Sequence, residues 1–365
     1  MTSPTAARPL RLLIFWPASD FDTFLTPAFL NRPEYKVELV SGNRSSGPSP
    51  HAADSARLRD LRQRLKRGEF DLVLSGTIWN TPWPPHKQLA TRLAQAARFL
   101  TYKKSWLDTW WAPGFGRLAR EADVPFAVVD LRDACFVYPW DWPLLRESFL
   151  YFKRELFHWR DKSLDPIRIY LGREVTGHEA KLRPLSYGIT QKYLPDQIVP
   201  FEERTIDVLF TGSLNPLRRD ILPRLERLGK EFNIEIHTTL LPFDAYYEKL
   251  RHSKLVLCVE SYGCETWRMY EASGAGSVPL VNWPYVQNAF PLEPDRHAVY
   301  YSYIGDDLEQ KIRSALAQPE KLKTMSQATH EFTRQHKDRA RLADYIVETS
   351  LREFAAQQSH PATQA

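Results

Sequence analysis

Two α/β domains built on parallel sheets are what this sequence predicts, on three observations. The chain has 365 residues, and single hydrophobic cores rarely grow past roughly 250–300 residues. Short apolar runs, such as 70–75 (FDLVLS) and 255–259 (LVLCV), alternate with stretches at helical spacing. The second half also shows strand, glycine loop and helix in direct succession twice, at Gly212 and at Gly263. A hydrophobic content of 43% beside 25% charged residues is the balance of a soluble globular chain.

The elements follow in order. Residues 10–16 (LRLLIFW) read as a first parallel strand, 24–30 as a first helical turn and 35–40 as a second strand. Residues 42–54 are rich in Ser, Pro and Gly and read as a loop. Residues 55–68 place Leu58, Leu61 and Leu65 on one helical face, with Arg57, Arg59, Arg62, Arg64, Lys66 and Arg67 elsewhere on it. A solvated face is the plain reading, and a membrane-surface or phosphate-steering role is the other. Residues 70–75 are a buried strand, followed by a Trp- and Pro-rich loop over 76–85 and a helix over 87–100. Trp106, Trp110 and Trp111 precede Pro113-Gly114-Phe115-Gly116, and 125–130 is the next strand, with an aromatic loop over 131–142. Residues 149–159 have helical character, 167–171 read as a strand, and 195–204 as a polar, Pro-containing linker.

The second half opens on a strand at 206–211 and a helix at 217–232, whose apolar row is Ile221, Leu225, Leu228 and Phe232. A strand at 234–238 and a helix at 244–251 come before the buried strand at 255–259. A loop covers 283–289, and amphipathic helices are expected over 306–317, 320–336 and 339–354. Nothing repeats with a period of 20–50 residues, which excludes solenoids and propellers. No stretch of about 18 apolar residues occurs, so no membrane-spanning helix is expected, and a cytoplasmic location is.

The chemistry concentrates in 261–281, SYGCETWRMYEASGAGSVPLV. Tyr262 and Gly263 form a short loop, and Thr266 stands where it would cap a helix. Unpaired amides at such a helix start favour an anion. Arg268, near that start, would neutralise a phosphate, and Glu271, three residues on, would accept hydrogen bonds from a ribose diol. The plain alternative is a surface Arg–Glu pair. The other glycine loop, Gly212 and Ser213, leads into a helix with Arg218 in its first turn and is a second anion cradle.

These residues carry a resemblance. The 261–281 segment resembles the nucleotide-sugar-binding segment of GT-B glycosyltransferases, in particular the exostosin-type and spore-coat-type glycosyltransferase-like families. Arg268, Glu271, Ala272, Gly276 and Pro279 carry the match, and 207–219 (DVLFTGSLNPLRR) is similar to the first strand and loop of the C-terminal domain of the spore-coat type. The resemblance implies a GT-B fold: two Rossmann-like domains facing a cleft, with a C-terminal helix packing back on the first. The domains would span 1–189 and 190–335, with the returning helix at 336–356 and a disordered tail at 357–365. It implies donor binding by Gly212, Ser213, Arg218, Tyr262, Gly263, Thr266, Arg268 and Glu271. Many retaining GT-B enzymes carry a second Glu eight positions before the one matched by Glu271. Gly263 stands there instead, so the stereochemical outcome stays open.

A catalytic base would come from the first half, where Asp133, Asp20 and Asp141 follow strands. Asp133, ending VVDLRD, is the first choice, with a turn or cap beside Arg132 as its alternative role. Asp20-Phe21-Asp22 matches a metal-binding Asp-x-Asp pattern, but no metal or other cofactor is expected, the nucleotide sugar being a substrate. Nine of the eleven tryptophans lie in the first 160 residues, which suits a sugar acceptor there or plain core filling. The expected partners are a nucleotide sugar and a glycan, lipid-linked or protein acceptor, with a peripheral membrane contact as a further expectation. A net charge of +5 suits such acidic partners. The basic residues form no dense aromatic-interleaved block, so nucleic acid is not expected. The three cysteines have no metal-ligand spacing. The absence of a nucleophile elbow, a P-loop or a His-Glu-x-x-His helix removes the commonest hydrolase, NTPase and metalloprotease readings. A non-catalytic binding module of the same fold, or a sugar-nucleotide epimerase, remains the alternative to a transferase.

Overall fold

In a computed structural model of the protein the described residues are 8–16, 25–30, 32–41, 55–77, 111–260 and 263–359. The chain divides into two compact units: Met1–Pro184 with Ala343–Ala365, and Leu185–Leu342.

The first unit carries strands β1 (Leu10–Trp16), β2 (Tyr35–Ser41), β3 (Leu72–Gly76), β4 (Phe126–Asp130), β5 (Leu150–Arg154) and β6 (Leu182–Leu185). Its helices are α1 (Thr26–Leu30), α2 (Ser55–Lys66), α3 (Trp111–Glu121), α4 (Trp142–Glu147) and α5 (Asp165–Leu171). The sheet order is β2-β1-β3-β4-β5-β6, and the pairs from β2 through β5 are parallel. Strands β3, β4 and β5 are buried along their whole length, as expected of a sheet covered on both faces. Leu61 and Leu65 of α2, Phe115 and Ala119 of α3 and Leu144 and Leu145 of α4 share one core with Leu13, Val73, Val128 and Tyr151.

Two sequence expectations are corrected here. Residues 149–159 contain β5, not a helix, because Lys153 and Arg154 are fully buried among carboxylates instead of forming a solvated basic face. Residues 167–171 are helical, not extended. Pro166 stands in the first turn of α5, and Gly172 closes it in the left-handed region, the arrangement that starts and stops a helix. The loop at 42–54, the helix at 87–100, Trp106 and Trp110 lie outside the described residues.

The second unit carries β7 (Ile206–Thr211), α6 (Pro216–Leu228), β8 (Ile234–His237), α7 (Phe243–Arg251), β9 (Ser253–Cys258), α8 (Trp267–Gly274), β10 (Val278–Asn282), β11 (Val299–Tyr301), α9 (Leu308–Leu316) and α10 (Pro319–His336). Its sheet order is β11-β10-β9-β7-β8, all parallel. The strand order therefore reverses between β7 and β9, and open α/β sheets bind ligands beyond the carboxyl ends of the strands at such a point. Ile221, Leu225 and Leu228 of α6 pack on Val208, Phe210, Leu255 and Leu257, as the apolar row requires.

The last helix, α11 (Arg339–Ser359), contributes its residues from Ala343 onward to the first unit. There Phe354 meets Phe149 edge-on at 5.3 Å and Tyr345 meets Phe152 at 5.7 Å. Asp344 accepts bonds from Arg32 at 2.6 Å and Tyr35 at 2.7 Å. The helix runs through Ser359, so the expected tail does not begin at 357. Among the described residues no helix is long and apolar enough to cross a membrane.

Candidate active site

The second unit's switch point holds a cavity of about 470 Å³, and five of the residues lining it are Gly212, Ser213, Arg218, Arg268 and Glu271. The sequence reading named all five. The polar chain after β7 turns at Gly212, whose φ of +145° is a conformation that L side chains rarely adopt. A Cβ on Gly212 would meet Arg268 Nη2 at 2.8 Å and Arg218 Nη1 at 3.1 Å. Two guanidiniums thus press on one bare stretch of backbone.

The two arginines are held differently. Asn215 caps α6, its side chain accepting from the Arg218 amide at 2.9 Å. The Arg218 side chain donates to the Ser213 carbonyl at 2.8 Å and to the Val259 carbonyl at 3.1 Å, tying the loop after β7 to the end of β9. Burial, and then the nearby Arg268, lower its pKa. Arg268 donates from Nε to the Thr211 hydroxyl at 2.8 Å, while its buried Nη1 has no hydrogen-bond partner. Buried donors are nearly always satisfied, so such an exception asks for a ligand or water. Like charges this close repel, and an anion between them would relieve both.

Glu271 sits across the same cavity. Its Oε2 accepts from the Tyr246 hydroxyl at 2.6 Å, and the Tyr193 hydroxyl bonds it as well. Burial and the adjacent carboxylate raise both phenols above their usual range, so both act as donors. Nothing in the sequence points to these two tyrosines, because neither has a spacing relation to Glu271. Cys258, at the end of β9, is buried, and its thiol is pushed up to about 12 by that burial.

Thr266 occupies the N-cap position of α8 in extended conformation, but its side chain makes no capping bond and its buried hydroxyl has no hydrogen-bond partner. Gly263 is buried in the loop before it, and Tyr262 lies outside the described residues. Behind this helix start is a buried polar network that the sequence did not reveal. Glu265 accepts from the Asn288 amide at 2.7 Å, from the Tyr187 amide at 3.3 Å and from the Tyr270 hydroxyl. Lys337 donates to Ser186 and to Asn288, both at 2.9 Å, with its ammonium 4.2 Å above the Tyr270 ring. Burial pulls the Lys337 pKa down to about 7, against the attraction of Glu265.

In the first unit, Asp133 is half-exposed and ion-paired with the buried Arg154. Asp141 is fully buried and paired with Arg132, which also clasps Asp130 at 2.7 Å. Asp141 is therefore an internal ion pair, not a reachable base. Glu155, next to Arg154, has a φ of +58°, uncommon for a residue with a side chain. Asp20 lies outside the described residues. Strand order reverses in this unit between β1 and β3, and the residues from 17 after β1 and from 78 after β3 lie outside the described set.

The fold is that of the GT-B glycosyltransferases, and the family comparison gives the class, a glycosyltransferase. Residues 208–348 match the family described as "Glycosyl transferase-like". The glycosyltransferase from Rickettsia africae ESF-5 superposes with a TM-score of 0.51 at 10% identity, over 96% of this chain and 99% of that one. HepE of Anabaena, solved in complex with UDP, gives a TM-score of 0.45 at 12% identity, over 93% and 99%. Sucrose-phosphate synthase from Thermosynechococcus elongatus gives 0.48 at 11%, over 96% and 100%. No curated protein matches the sequence.

Proposed function

We propose that the protein transfers a sugar from a nucleotide-sugar donor to a glycan, lipid-linked or protein acceptor without a metal. The observation that carries this reading is the pair of guanidiniums closing on Gly212 with Glu271 in the same cavity. A diphosphate answers both cations, and the Arg268 Nη1 donor supplies the contact that strengthens as the nucleoside diphosphate departs with its growing charge. Arg218, tied to two carbonyls, orients the loop and adds charge. Glu271, fixed by Tyr246 and Tyr193, has acceptor capacity for the ribose diol, Gly263 and Thr266 belong to the loop and helix start before it, and Tyr262, next in sequence to Gly263, is proposed as a further donor contact. The amides of that helix start add to the anion's environment.

The acceptor is assigned to the first unit, with Asp133 as the candidate base and Asp20 as the alternate. Arg154 would then hold the Asp133 carboxylate in place. Titrating a panel of nucleotide sugars by calorimetry, with EDTA present, tests the donor half of this reading. Binding of at least one donor, weakened by Arg268→Ala, is expected. If every donor fails to bind, or the variant binds as well as the native chain, the reading is wrong.

A further inference from the structure

The cations that the donor reading leaves unused gather in the first unit. Arg62 and Lys66 from α2, Arg117 from α3, Arg146 from α4 and Arg173 just past α5 line one groove of about 770 Å³. No carboxylate is among the described residues lining it. Nearby, Glu147 is shared by Arg146 at 2.9 Å, Arg120 at 3.0 Å and Arg117 at 3.8 Å, so one acid answers three bases. Leu118, Trp142 and two prolines line the same groove.

A second observation stands beside it. The short helix α5 buries Ile167 but exposes the next large apolar side chains: Ile169 at 72%, Tyr170 at 65% and Leu171 at 42%. Gly172 then turns the chain, and Arg173 enters the groove. Three consecutive exposed residues of this kind are unusual on a surface made for water alone.

We propose that this face seats the protein on an anionic lipid surface. Lipid phosphates would occupy the cationic groove, and Ile169, Tyr170 and Leu171 would enter the boundary between headgroups and acyl chains. A soluble phosphate compound would satisfy the groove but leave that apolar turn in water, which is why the lipid is the occupant. Clustered bases with adjacent apolar side chains are the physical requirement for reversible interfacial binding. The inference is independent of the donor reading, whose residues lie in the other unit.

Flotation of the full-length protein with phosphatidylcholine vesicles, with and without phosphatidylglycerol, tests it. Binding only to the anionic vesicles, weakening as salt rises, is expected. Arg62→Ala/Lys66→Ala/Arg173→Ala should bind about a hundredfold more weakly, since each base near an anionic surface contributes about fivefold. Ile169→Ser/Leu171→Ser should weaken binding about tenfold with the charge intact. Both variants alter exposed residues, and an unchanged melting transition of the first unit, read by scanning calorimetry, confirms that they fold. The proposal is overturned by equal binding to neutral and anionic vesicles, or by triple and double variants that bind like the native chain. It is also overturned if the protein ignores vesicles yet binds inorganic pyrophosphate through the same three bases. Loss of donor binding in the native chain would count against the donor site alone.

Discussion

At Arg268 a single side chain joins sequence to chemistry. It is pinned at Nε by Thr211 and keeps Nη1 without a partner. Arg268→Ala should weaken donor binding by about 2–3 kcal/mol, roughly 30- to 150-fold, with little change in melting temperature. Gly212→Ala is a harsher change, because it forces a side chain into both a rare backbone region and the two guanidiniums. It should lower stability by about 1–3 kcal/mol and abolish donor binding, read by denaturant titration and calorimetry. Lys337 gives a prediction in pH. Its folded pKa of about 7 lies below the ordinary lysine value near 10.5, so between those values the unfolded chain holds a proton that the folded chain does not. Stability from this group therefore rises as pH climbs from about 7 toward 10, and below 7 the fold carries the cost of a buried charge. Urea unfolding at pH 7 and pH 10 should show the native chain gaining up to a few kcal/mol relative to Lys337→Met.

At the scale of the element, the sequence displayed what periodicity and turn chemistry encode. Strands β1 to β4 and β7 to β9, the apolar row of α6 and the glycine turn after β7 were legible because each depends on neighbours in the chain. Tyr193 and Tyr246 were not, because they reach Glu271 through tertiary packing, with no spacing to announce it. Strand β5 was misread for a related reason. Lys153 and Arg154 mark a solvated face in most sequences, and only the carboxylates of Asp130, Asp133 and Glu155 make their burial tolerable. The end of α8 carries its own prediction. A Cβ on Gly274 would lie 2.5 Å from the Tyr193 carbonyl oxygen. Gly274→Ala should therefore push away the residue that holds Glu271. Calorimetry should show weaker donor binding, with the Arg268 contacts unaltered.

For the whole molecule, the two-unit plan was legible from length and alternation, and the donor-side residues from two glycine loops. The division after Pro184 lies a few residues before the expected boundary, because β6 closes the first sheet. The first unit's own switch point was less accessible, since the sequence after its third strand is rich in Trp and Pro and carries no phosphate-type motif. The unit is also discontinuous. Removing residues 343–359 would strip Phe149 and Phe152 of their aromatic partners and leave Arg32 and Tyr35 without Asp344. Scanning calorimetry of that truncation should show the first unit's transition lowered sharply or lost, with donor binding by the second unit retained.

That discontinuity also sets an order of events during translation. A ribosome must make all of Leu185–Leu342 before Ala343 and its successors can close the first sheet's cover. At about 5–20 residues per second, the early strands wait on the order of ten seconds or more with Phe149 and Phe152 uncovered. The later-made unit, contiguous in the chain, has every residue it needs first, so the half that begins synthesis finishes folding second.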